Sequence, residues 1–115
     1  LEAVSVFPNP YFGQNPEERN QLNRFVYFTN LGVGKTTIRI FTISGDLIRI
    51  IEKSIDSENS ADRRVQWDLR NSFNIPVASG MYIAHLSLED ENGSSIGEKV
   101  MKLAVFMPEE RLDVY

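Results

Sequence analysis

Residues 36–51, TTIRIFTISGDLIRII, constrain the fold more than any other stretch. This is the most apolar and β-branched run in the chain, and a Ser44-Gly45-Asp46 turn interrupts it midway. β-Branched side chains lose little χ1 freedom on a pleated surface and more in a helix. Gly45 supplies the positive φ of a tight reversal, and Ser44 and Asp46 can bond nearby backbone. The run therefore predicts a β-hairpin. Its apolar positions are Ile38, Ile40, Phe41 and Ile43 before the turn, and Leu47, Ile48, Ile50 and Ile51 after it. They fall on both strand faces, which places the hairpin near the middle of a packed structure rather than at a solvated edge.

Period-two alternation recurs on both sides of the hairpin. Val4, Val6 and Phe7 form a short first strand, ended by Pro8-Asn9-Pro10, whose prolines remove two ladder donors. Residues 11–23 read as a polar loop with one helical turn starting at Pro16. Residues 24–31 alternate and form a strand, and Gly32-Val33-Gly34-Lys35 turns into the hairpin. Residues 53–64 are a solvated connection rich in Ser and Asx residues. Val65, Trp67 and Leu69 share one face of a short strand with Trp67 pointing inward. Gly80 opens a strand with Tyr82, Ala84, Leu86 and Leu88 on its buried face and His85 on the other. Asn92-Gly93 marks a turn, and residues 99–106 form the last strand, stopped by Pro108. The expected architecture is all-β: one domain over residues 1–115, a seven-stranded antiparallel immunoglobulin/fibronectin type III-like sandwich.

A chain of 115 residues buries enough surface to fold without a metal or disulfide, and it has no cysteine. Its net charge of −4 is spread over interspersed residues, so there is no electrostatic footprint for nucleic acid. No apolar run is long enough for a membrane span, and the N-terminus lacks the basic start and apolar core of a signal peptide.

Constellations for chemistry are weak. Gly32-Val33-Gly34-Lys35-Thr36 ends like a phosphate-binding loop, but Thr29 stands where the first glycine belongs, and a strand rather than a helix follows. His85 is the sole histidine and sits on an outer strand face, without a nucleophile or carboxylate at a useful spacing. The acidic loops Asp56-Glu58-Asn59 and Asp90-Glu91-Asn92 do not match a calcium-loop spacing. Trp67, Phe25, Phe41 and Tyr82 occupy apolar periodic positions and read as core, with Trp67 needing an acceptor for its indole N–H. Phe7, Tyr11, Phe12 and Phe73 lie at strand ends or in loops; they form a partner surface or, the favoured reading, fold back to cap the sandwich. Tyr82, two residues after Gly80, is placed to bond its hydroxyl back to an adjacent loop, as in a tyrosine corner. Gly45, Gly80, Trp67 and Tyr82 are thus structural positions, and no catalytic, cofactor or metal site is expected.

Six stretches in order carry a resemblance. They are Val6-Phe7-Pro8-Asn9-Pro10, Phe28-Thr29-Asn30-Leu31, residues 37–49, Trp67-Asp68-Leu69-Arg70-Asn71, Val77-Ala78-Ser79-Gly80-Met81-Tyr82 and residues 97–105. Together they resemble the C-terminal immunoglobulin-like sorting domain of type IX secretion cargo from Bacteroidetes-type bacteria, related to the immunoglobulin-like domain of the flagellar hook-capping protein. The resemblance implies a non-enzymatic C-terminal module of a longer exported protein, secreted or held at the outer cell surface by way of the periplasm. Its implied partners are the secretion machinery at the outer membrane and the protein's own upstream domains. It places the sorting signal in the final strands, at Gly97, Lys99 and Lys102. The chain departs from the resemblance where residues 107–115 continue past the final strand, and where Leu69 and Phe73-Asn74 replace glycines of many relatives. The alternative expectation is an accessory carbohydrate- or protein-binding sandwich of a secreted enzyme or adhesin.

Overall fold

The computed structural model describes residues 1, 3–13 and 24–107. The described residues form eight strands and no helix: β1 (Ser5–Phe7), β2 (Tyr11–Phe12), β3 (Val26–Thr29), β4 (Gly34–Thr42), β5 (Leu47–Ile55), β6 (Val65–Trp67), β7 (Gly80–Glu89) and β8 (Ser95–Phe106). Two sheets face each other, β1-β3-β6 and β2-β8-β7-β4-β5. All pairings are antiparallel except β2 with β8.

The strand count exceeds the expected seven because the first strand is split. Pro8 and Pro10 lack the N–H groups that would continue the ladder, and across this corner the chain passes from the small sheet at β1 to the large one at β2. Asn9 bridges the gap with its side chain, donating from Nδ2 to Lys102 C=O at 3.0 Å and accepting from Ala104 N–H at 3.1 Å. The Tyr11-Phe12 strand, expected to be loop, has only two residues and no alternation to reveal it. The helical turn expected at Pro16 and the tail after Met107 lie outside the described residues.

The hairpin forms around its turn: Thr42 N–H bonds Asp46 C=O and Gly45 N–H bonds Thr42 C=O, each at 2.9 Å. Its two strands differ in status. β4 lies between β7 and β5, whereas β5 is the outermost strand. Ile38 and Ile40 are completely buried and Ile51 nearly so, but Ile43, Leu47 and Ile50 are exposed. The hairpin is therefore half central and half edge: Ile43 and Leu47 flank the turn, and Ile50 pairs with Arg39 on the outer sheet face, while Ile51 and Ile55 on the inner face of β5 are buried. Strand β5 also runs further than expected, into the segment read as a solvated connection, and ends on buried Ile55. Likewise β8 begins at Ser95 rather than Lys99.

The core fills from alternate positions of both sheets. Val26, Phe28 and Trp67 come from the small sheet; Tyr82, Ala84, Leu86, Leu103 and Val105 come from the large one. Burying each large aliphatic side chain contributes about 1.5–3 kcal/mol. Phe25 and Phe41, expected in the core, are only half buried. Val26 and Phe28 take the inward face of β3, leaving Phe25 edge-to-face against Tyr27 at 5.1 Å. Ile38 and Ile40 take the inward face of β4, so Phe41 falls on the other; the register shift beside it adds Ile48 to β5 and leaves the β4 pairing with β7 regular. Leu69 leaves its expected strand: it is buried outside β6 with φ +60°.

Candidate functional site

The final strand is where a recognition signal was expected, and its pairing dictates what it can present. Its two faces follow from its register with β7, in which Tyr82 opposes Leu103 and Leu86 opposes Lys99. Gly97 and Lys99 thus share the inward face with Leu103, while Lys102 lies on the outer face. The expected trio is therefore not one surface. At Gly97 a side chain would come within 3.1 Å of Leu1 Cδ1, so the glycine seats the N-terminal residue. Lys99 reaches under the sheet to donate to Val4 C=O at 2.7 Å. Lys102 has an exposed side chain, and its carbonyl is held by Asn9.

The remaining candidates resolve into turns and packing. Gly34 opens β4 with φ +122°, and a Cβ there would stand 2.3 Å from Glu89 O. The glycine-lysine run thus starts a strand closely packed on its neighbour. Lys35 bonds Glu52 at 2.8 Å, and that hydrogen bond, reinforced by the carboxylate charge, raises the lysine pKa above its ordinary value. His85 lies on the outer face with Nε2 3.8 Å from Glu98 Oε1. The two acidic loops meet at one end of the molecule, where Asp56, Glu89, Asp90 and Glu91 border an open depression of about 590 Å3. Asp90 Oδ1 is engaged there, accepting from Asn92 and Ser94 N–H at 2.9 Å each. Among the described residues no three or more acidic or histidine side chains are grouped to hold a metal ion.

Trp67 is fully buried, meets Tyr82 edge-on at 6.0 Å, and donates its indole N–H to Arg70 C=O at 2.9 Å. Tyr82 donates its hydroxyl to Ala78 C=O, and burial raises its pKa above 10.0. Gly80 opens β7 with open space where a side chain would be. Of the four loop and strand-end aromatics, Tyr11 turns inward and is buried. Phe7, Phe12 and Phe73 remain exposed rather than capping the sandwich; Phe12 stacks on Phe106 at 5.0 Å, and Phe73 is 81% exposed.

Neither a protein-family profile nor a curated protein matches the sequence. Solved structures do. PorZ, described as an essential bacterial surface component of the type-IX secretion system of human oral-microbiomic Porphyromonas gingivalis, matches 91% of this chain at 26% identity and a TM-score of 0.60. Dimeric latent PorU from Porphyromonas gingivalis matches 91% of it at 17% identity and a TM-score of 0.67. This chain is similar to a segment of a type IX secretion component. It spans 12% of the PorZ chain and 9% of the PorU chain. The PorU likeness, at its identity, establishes the fold alone.

Residues 68–77, read from sequence only as a loop from Arg70 onward, form the most heavily bonded loop in the described structure. Arg49 Nη1 donates to Asp68 Oδ1 at 2.9 Å and to Arg70 C=O at 3.0 Å. Asn71 Oδ1 accepts from Phe73 and Ile75 N–H, Arg70 Nη1 donates to Asn74 C=O, and Ser72 N–H bonds Ile48 C=O. Leu69 and Asn74 adopt left-handed φ values of +60° and +65°. One signal was present in the sequence: these positions fall where the resemblance has glycines.

Proposed function

We propose that the chain is a non-catalytic sorting or anchoring module of a larger protein exported by a type IX pathway. The observation that carries this reading is the likeness to PorZ, which extends over 91% of this chain yet only 12% of that one, as expected of one module within a long polypeptide. The sandwich is of immunoglobulin/fibronectin type III-like type, with its first strand shared between the sheets. It acts by recognition, presenting the final strand and adjoining loops to machinery at the outer membrane. The upstream half of the β8 edge offers a physical route. There the outward main-chain groups of Glu98 and Val100 carry no described partner, so an incoming strand has groups to pair with. The cargo is then released or held at the cell surface.

Fusing residues 1–115 to a periplasmic reporter, in a host with the secretion machinery, tests the reading. Reporter at the surface or in the medium is expected; retention in the periplasm refutes it. A second reading, an accessory carbohydrate- or protein-binding module, draws on the exposed Phe12 and Phe73. A glycan array showing binding that is lost on Phe12→Ala or Phe73→Ala would favour it.

A further inference from the structure

The outermost strand β5 leaves a row of main-chain groups open. Asn9 bonds Lys102 and Ala104 from the far side of β8, so even-numbered β8 residues turn their groups away from β7. In antiparallel ladders this alternation passes from strand to strand. Through the registers Leu86↔Lys99, Arg39↔His85 and Ile38↔Ile51 it leaves Ile50, Glu52 and Ser54 facing off the sheet. Ile48 C=O points the same way and accepts from Ser72 N–H at 2.9 Å. Beyond it, no described residue bonds the outward main chain of Ile50, Glu52 or Ser54.

Natural edges are usually blunted by proline, a bulge or a projecting charge. Between Ile50 and Ile55 there is no proline, and the irregularity of β5 is confined to Ile48, the extra residue opposite Ile40/Phe41, whose carbonyl Ser72 already occupies. The charge of Glu52 is drawn over the neighbouring strand by Lys35 at 2.8 Å. Beside this edge stands the loop 70–76, held by the bonds described above and displaying Phe73 at 81% exposure and Ile75 at 56%. Between loop and strand lies an open depression of about 400 Å3, lined by Leu47, Ile48, Arg49, Ile50, Asn71, Ser72 and Asn74. Its one cation, Arg49, is held by Asp68 Oδ1 and Arg70 C=O.

We propose that the β5 edge and the 70–76 loop together receive an extended apolar peptide from a partner protein, added to the five-stranded sheet as a further strand. The row of N–H and C=O groups at strand spacing selects the occupant, because an extended main chain matches it group for group. The pairing of Arg49 within the protein makes the depression suited to an apolar side chain rather than an acidic one. A left-handed, buried Leu69 is a strained feature that persists only where its surroundings over-determine it. Here it belongs to a loop that keeps Phe73 preorganised, which lowers the ordering cost of binding. This surface is separate from the final strand, and the inference stands whether or not the sorting reading does.

The test uses the full chain as bait for a phage-displayed library of random twelve-residue peptides. Enriched peptides should be proline-free with alternating apolar residues. A synthetic copy of one should shift the amide resonances of Ile50, Glu52 and Phe73. Phe73→Ala and Ile50→Lys, both at exposed positions, should fold with unchanged dispersion and each weaken binding about tenfold or more. No enrichment, binding indifferent to both variants, shifts confined to β8, or self-association of the chain through β5 each overturns the proposal.

Discussion

Gly34→Ala should be strongly destabilising. The left-handed φ of +122° is costly for any residue with a Cβ, and the added methyl would sit 2.3 Å from Glu89 O. That oxygen belongs to the main chain of β7, where Glu89 pairs with Lys35. It cannot rotate aside as a side chain would, so β4 and β7 must separate at this end. Backbone strain and overpacking each cost about 1–3 kcal/mol, and together we expect about 3–5 kcal/mol. Gly45→Ala is the control. It also has positive φ, +96°, but nothing lies within 4 Å of the added atom, so only the conformational cost of about 1–2 kcal/mol remains. With a urea m-value of about 1.5 kcal/mol/M, the midpoint should fall by about 2–3 M for Gly34→Ala and about 1 M for Gly45→Ala. Equal midpoints for the two variants would refute the steric argument and leave only the shared φ effect.

Other consequences follow from single side chains. Thr36 is fully buried and its hydroxyl has no partner among the described residues, so Thr36→Val should raise stability by about 1 kcal/mol in the same denaturation assay. Tyr82 has its pKa raised by burial, so the folded state holds this proton more tightly than the unfolded one. Its contribution is present below pH 10.0 and is lost as pH climbs through the folded-state value. Thermal melts should show that alkaline decline shrinking in Tyr82→Phe, which at neutral pH costs about 1 kcal/mol through the lost bond to Ala78. Arg49→Met removes the bonds to Asp68 and Arg70, and hydrogen exchange should accelerate at the amides of Phe73 and Ile75 while the β7 amides stay protected.

Much of this molecule is legible along the chain because strand and turn chemistry is local. The alternation of Tyr82, Ala84, Leu86 and Leu88 follows from the two-residue period of a pleated strand, and all four are buried. The Ser44-Gly45-Asp46 reversal and the Asp90–Ser94 turn follow from backbone freedom and short polar side chains. The indole of Trp67 had to find an acceptor, and Tyr82 had a nearby loop within reach of its hydroxyl. Tertiary structure decided what depends on neighbours far away in sequence. It divided the first strand between two sheets, put β5 at an edge, left Ile50 on the uncovered outer face, and turned Phe25 and Phe41 off the core. It also sent Gly97 and Lys99 inward and Lys102 outward, and packed Gly34 against Glu89 while leaving open space at Gly80. A periodic pattern says which residues share a face, but which face is covered, and by what, is settled only when a second sheet of limited width packs against the first.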